Sequence, residues 1–154
     1  MTMTRRGNWA RYLFILFVAA VLLNYMWEIS QAPLYVGMVS METIWWHCFV
    51  AALGDGLIVL IIHGVGWLVF GKPGWSAHPR AAQIVFLLGS GLAIAIAVEW
   101  VAVYRLYRWS YTSRMPLIPG LGIGVTPVLQ MLVLPAAIFQ IANKWFTYPG
   151  SCKG

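Results

Sequence analysis

The sequence predicts an all-α polytopic membrane protein: a four-helix transmembrane bundle with an irregular Pro/Gly-rich outer loop. Three observations lead there. Of the 154 residues, 61% are hydrophobic and only 9% are charged, with a mean hydropathy of +0.78, whereas about 25% of a soluble domain is charged. Four apolar runs each approach or exceed the ~20 residues that a spanning helix needs. The basic residues, which give a net charge of +6, gather in the segments that flank those runs. That distribution fits basic flanks meeting anionic lipid and not a nucleic-acid surface. The length suits a single integral membrane domain over residues 1–154.

The first run extends from Tyr12 to Ile29, after Arg5, Arg6 and Arg11. It has the outline of a signal peptide, but no small-residue cleavage pattern follows and Asn24 and Glu28 interrupt its exit, so it reads as a retained helix. The second, Thr43 to Phe70, is long enough to tilt or to project past the hydrocarbon. Ala81 to Tyr104 is the third. The fourth, Val128 to Phe146, contains Pro135, which kinks a helix or frees a carbonyl for another partner. The last connection ends in MPLIPGLGIGVTP, residues 115–127, with three prolines and three glycines and no charge. Such a segment is no regular helix, yet it is too apolar for a solvated loop. Irregular backbone is tolerated at membrane depth only against protein or water, so a cover across the mouth of the bundle is expected.

Lys and Arg are retained on the cytoplasmic side of a membrane. With the N-terminus inside, the inner flanks hold seven of them, Arg5, Arg6, Arg11, Lys72, Arg80, Lys144 and Lys153, against Arg105, Arg108 and Arg114 outside. Both termini are therefore expected in the cytoplasm, as in a bacterial inner-membrane protein. Trp and Tyr fall where interfacial belts belong: Trp27, Tyr35, Trp45, Trp46, Trp100, Tyr104 and Trp109 at one end, Trp9, Tyr12, Trp67, Trp75 and Trp145 at the other. Cys48 sits in an apolar run and Cys152 in the tail, which gives neither a disulfide framework nor a metal-type spacing. No metal site is indicated, and the sequence leaves any cofactor unassigned.

In that orientation Asn24, Glu28, His47, Glu99 and Gln130 all fall near the outer ends of their helices, at a rise of about 1.5 Å per residue. Asp55 is placed deeper, near mid-bilayer. Asn24, Glu28 and Gln31 form one stripe at i, i+4, i+7, and Gly91, Ala95 and Glu99 share a face with Gly89, Ala93 and Ala97 beside it, a small-residue pattern that permits close helix approach. Ionisable side chains inside a bilayer are costly and usually face the bundle interior or a wet cavity. Glu99, Glu28, His47 and Asp55 are thus the candidates for catalytic proton exchange. Arg105, Arg108 and Arg114, whose planar donor forks suit phosphate or carboxylate, are the candidates for ligand binding, together with Asn24 and Gln130.

Each residue also has a structural reading. Glu99 could simply pair with Arg105 or Arg108, Glu28 could lie in the headgroup layer, His47 could be a neutral interfacial residue, and the arginines could snorkel as anchors. His63 and His78 read as structural or interfacial. Three classes of function are compatible with the chain. The favoured one is a membrane protein that binds or processes a lipid, isoprenoid or quinone at a polar Glu/His/Arg site near the outer leaflet. The others are an assembly subunit of a larger membrane complex, and a small proton or ion transporter subunit with Asp55 and His63 on its route. The expected partners are membrane lipids, with membrane-protein partners or a homo-oligomer under the alternatives, and no nucleic acid. No paired catalytic motif is present, which counts against an enzyme and favours a ligand-binding membrane protein, with lipid enzymology still open to it.

Overall fold

Four helices form in chain order: α1 Thr4–Gln31, α2 Met41–Phe70, α3 Ala81–Tyr104 and α4 Val125–Thr147, with a 3-10 turn Ala32–Leu34 after α1. The computed structural model describes residues 4–38, 40–76 and 79–147, without the side chains of residues 4–8, 146 and 147. His78, Cys152, Lys153 and the side chains of Arg5 and Arg6 lie outside the described residues. Each helix contains a stretch long and apolar enough to cross a membrane. No strand forms among the described residues, only two isolated bridges.

Local chemistry sets the helix ends. Ser40 caps α2 by accepting from the Thr43 amide at 3.2 Å, and Gly71 closes it in the left-handed region at φ 64°. The side chain of Gln83 accepts from the Arg80 amide at 2.7 Å at the start of α3. Helix α1 begins well before its apolar run, because Arg and Trp continue a helix that hydrophobicity alone does not demand. Helix α4 also begins early, at Val125, so Val125, Thr126 and Pro127 belong to the helix and not to the cover. Pro127 stands in the first turn, where its missing N–H goes unused.

Helix α1 packs against both α2 and α4, and α4 against α3, whereas α2 and α3 barely touch. The outward faces are apolar: Met26, Leu68 and Val85 are 70%, 83% and 69% exposed, as expected of surfaces that meet acyl chains. Leu16, Val59, Ile62 and Ile138 are fully buried between the helices. Gly56 lets α1 approach α2, since a Cβ there would lie 2.9 Å from both Phe17 and Val21.

Gly91 does the same for α3 and α4 by a more particular route. Pro135 has no N–H to donate to the carbonyl four residues earlier, which is that of Met131. A Cβ on Gly91 would overlap that very oxygen, so α3 lies against the carbonyl that the proline frees. Of the expected small-residue pattern, Gly91 and Ala95 are buried with Glu99, while Gly89, Ala93 and Ala97 point outward and are not a packing face. Gly91→Ala is expected to destabilise the bundle by about 1–3 kcal/mol through overpacking, readable as an earlier midpoint in SDS titration; Gly89→Ala should leave it unchanged.

The α2–α3 connection folds back into the bundle. Trp75 is 2% exposed, stacks on His63 at 6.1 Å, and lies against Phe70, Phe86 and Phe139. Its indole N–H donates to the His63 carbonyl at 3.0 Å, and Gly66 provides space where a Cβ would overlap the ring. The Tyr12 hydroxyl donates to Asn143 Oδ1 at 3.1 Å, so its 3.0 Å contact with Ser76 Oγ has serine as donor. Asn143 Nδ2 donates to the Ser76 carbonyl at 2.7 Å. Tyr12 and Trp75, expected in an interfacial belt, are therefore core residues. Trp75 and Ser76 of the turn find hydrogen-bond partners on the helices, which lets aromatic bulk enter the bundle, while His63 Nδ1 stays buried with no partner.

Candidate functional site

The polar residues meet at the opposite end, around Gln130. Gln130, 2% exposed on α4, donates from Nε2 to Asn24 Oδ1 and to Asp55 Oδ2, both at 2.9 Å. Its Oε1 accepts from Gln31 Nε2 at 3.0 Å, and the same Gln31 nitrogen donates to Glu28 Oε1 at 3.0 Å. Asn24 Nδ2 donates to the Ala20 carbonyl at 2.8 Å. One side chain of α4 thus joins α1 to α2. Asp55, expected deeper than Asn24, stands at its level, because the 30-residue α2 begins beyond the polar layer and reaches it more than three turns in.

Glu99 is buried on α3 and does not pair with Arg105 or Arg108. It accepts instead from the Tyr111 hydroxyl through a short hydrogen bond, and from Trp109 Nε1 at 3.4 Å. Burial, and then the Glu99 carboxylate, raise the Tyr111 hydroxyl above its ordinary range, so it remains a proton donor. The loop is shaped to deliver these two rings. Arg105 and Leu106 amides both bond the Val101 carbonyl, Tyr107 turns the chain at φ 50°, and the Arg108 amide returns to the Ala102 carbonyl at 2.9 Å. A left-handed tyrosine is uncommon and carries a conformational cost.

Residues 110–112 then pair with the α1–α2 connection. Val36 donates to the Ser110 carbonyl and Thr112 to the Leu34 carbonyl, both at 2.9 Å. Beyond this stitch, Ile118 and Ile123 close a tight turn at 2.8 Å in which Gly120 and Gly122 take φ of 81° and 65°. Tyr104 Oη donates to the Gly122 carbonyl at 3.0 Å. The segment is ordered, its backbone paired with itself, and it sends Met115 and Ile123 into the buried interior.

Near this end lies a cavity of about 730 Å³. None of residues 115–126 lines it, so the segment expected to cover the mouth of the bundle does not border this space, and Tyr107, Arg108 and Trp109 of the same connection do. Glu28 and Gln31 from α1, His47 and Asp55 from α2, Glu99 from α3 and Gln130 from α4 line it, with Arg108 from the loop. Because α2 and α3 both form its wall while barely touching each other, it opens between them toward the side of the bundle. Asn24 contributes only through Gln130. His47 is exposed and donates from Nδ1 to the Thr43 carbonyl at 2.8 Å, which leaves Nε2 as the ring nitrogen outside that bond. Arg105 instead covers the Trp100 ring at 5.2 Å, and Arg114 is exposed; neither lines the cavity.

His63 belongs to the separate Tyr12–Trp75–Phe139 cluster, so the structure does not join it to Asp55 as one route. Among the described residues no three His, Cys, Asp or Glu side chains gather as a metal site. Sequence reasoning missed Trp109 and Tyr111 as the partners of Glu99, and Tyr35 and Trp46 as cavity lining. The aromatic spacing gave their depth, but only the cross-loop pairing gives their direction. Comparison with protein-family models, curated proteins and solved structures finds no match to this chain.

Proposed function

We propose that the chain is a multi-pass membrane protein whose cavity binds the polar head of a membrane-resident amphiphile of the lipid, isoprenoid or quinone class, at the outer leaflet if both termini are cytoplasmic. The observation that carries this reading is the cavity itself: four helices each bring a polar side chain to one space that opens sideways between α2 and α3. In a bilayer that side is acyl chain, and burying carboxylates and carboxamides there is costly unless they serve a polar partner. A lateral opening admits a molecule whose tail stays in the membrane while its head enters the polar layer.

Native mass spectrometry of the purified chain tests this. Wild type is expected to retain a defined small molecule through detergent exchange. Glu99→Gln and Arg108→Ala should each lower its retention roughly tenfold, the equivalent of one hydrogen bond to a charged group, while the protein remains monodisperse. Equal retention in wild type and both variants would remove the reading.

A further inference from the structure

Three arginines beside aromatics lead the sequence reader to an anion site, but the folded chain brings carboxylates to the cavity and leaves Arg105 and Arg114 outside it. We infer that the amphiphile bound in this cavity carries an ammonium group, held among Glu28, Asp55 and Glu99 and against the aromatic rings of the cavity mouth. The inference rests on the cavity being a ligand site, and it specifies the chemistry of the head.

The first argument is charge. Three helices each supply one carboxylate to the same cavity, and among the described residues no Lys or Arg forms an ion pair with any of them. Carboxyl groups held in a low-dielectric space stay ionised only beside a counter-charge, and one bound cation can serve several of them. The second argument is the direction of the hydrogen bonds. Both hydrogens of the Gln31 amide are spent, on Glu28 and Gln130, and both hydrogens of the Gln130 amide are spent, on Asn24 and Asp55. The network therefore consumes its donors and keeps acceptors in hand. Gln31, 4% exposed and part of the lining, keeps Oε1 buried with no partner. A ligand that donates several hydrogen bonds completes such a site; one that only accepts does not.

The third argument is the lining of the mouth. Tyr35, Trp46, Tyr107 and Trp109 border the same space, and ring faces attract cations, alkylammonium groups above all. Tyr107 holds its place at a positive φ that glycine would adopt without strain, which fits a ring retained for contact. Arg108 is the one Lys or Arg among the described residues that lines the cavity. It is suited to a phosphate next to the ammonium, as in a zwitterionic lipid head.

The test uses the full chain in lipid nanodiscs or mild detergent, with four probes competed by native mass spectrometry. Phosphatidylethanolamine carries amine and phosphate, oleylamine only the amine, phosphatidylglycerol only the phosphate, and a long-chain ubiquinone neither. The two amines are expected to be retained about tenfold over phosphatidylglycerol and ubiquinone. Asp55→Asn with Glu99→Gln, and separately Trp46→Leu, should each shrink that preference; the exposed Trp46 makes no hydrogen bond in the network, so its variant remains informative if the carboxylate pair fails to fold. Arg108→Ala should weaken phosphatidylethanolamine and spare oleylamine. If phosphatidylglycerol or ubiquinone is retained as well as the amines, or the amine preference survives these substitutions, the ammonium assignment is overturned and a cavity reading that still depends on Glu99 and Arg108 stands. Retention of none of the four overturns both.

Discussion

Gln130→Leu is expected to lower the unfolding free energy of the bundle by about 2–4 kcal/mol, although leucine has nearly the same volume. The side chain is the node at which α4 reaches α1 and α2, through Asn24, Gln31 and Asp55. Its removal strips a partner from each of those three groups at once, and each buried polar group left unmet costs about 1–3 kcal/mol in the limit. Hydrogen bonds between membrane helices average nearer 0.6 kcal/mol, because the unpacked state finds other partners, and this holds the total below the sum of the limits. Asn24→Leu, which loses one bond to Gln130, should cost about 1 kcal/mol. Steric-trap or SDS unfolding of the two single variants and the double variant checks the assignment: strong non-additivity between positions 24 and 130 is expected, and additive effects would show that the node is not shared.

Trp75→Ala should cost about 3–5 kcal/mol, the range for removing a large buried aromatic. The ring fills the space between α2, α3 and α4, and nothing else in its turn can replace it. His63 loses its stacking partner and Gly66 faces the void that the ring had occupied. Trp75→Phe keeps much of the apolar area but not the hydrogen bond to the His63 carbonyl, so about 1 kcal/mol of additional loss is expected from that carbonyl. The effect belongs to stability: because this cluster is separate from the cavity, the retained ligand of any folded fraction should be unchanged. Loss of ligand from folded Trp75→Phe would mean that the two ends of the bundle are coupled.

The contrast between these two positions shows where the sequence is legible. Four helices long and apolar enough to span a membrane follow from composition and run length, because a bilayer demands intrasegment hydrogen bonding whatever the tertiary packing. Their ends moved only where the chain continued as helix beyond its apolar stretch, as at Thr4 and Val125. The polar stripe of α1 is readable too, since i, i+4, i+7 spacing puts Asn24, Glu28 and Gln31 on one face whichever helix receives it. Trp75 was less readable. An aromatic in a Gly- and Pro-rich turn has the same composition whether it anchors at headgroup depth or folds inward, and only Gly66 and His63, far along the chain, decide which.

The arginine segment is the same lesson at the cavity. Charge and aromatic spacing placed Glu99 among Arg105, Arg108 and Arg114, yet the side chains that reach the carboxylate are Tyr111 and Trp109. The outcome turns on one left-handed residue, Tyr107, and on the pairing of residues 110–112 with 34–36. Neither local turn geometry nor cross-loop pairing has a periodicity to be read. Asp55 illustrates a third limit: its depth depends on how far α2 projects past its neighbours, which a hydropathy profile does not encode.

The claim that the cavity holds a ligand is tested most directly by protecting it. In a background with Cys48→Ala and Cys152→Ala, a single cysteine at Ala51 sits on the cavity wall, and one at Leu117 sits exposed on the Pro/Gly-rich segment outside it. Maleimide labelling of both, with the protein in lipid-free detergent and after adding polar lipid extract, should show Ala51→Cys slowed by about tenfold once lipid is several times above its Kd, and Leu117→Cys unchanged. Equal labelling rates at Ala51→Cys with and without lipid would contradict the account.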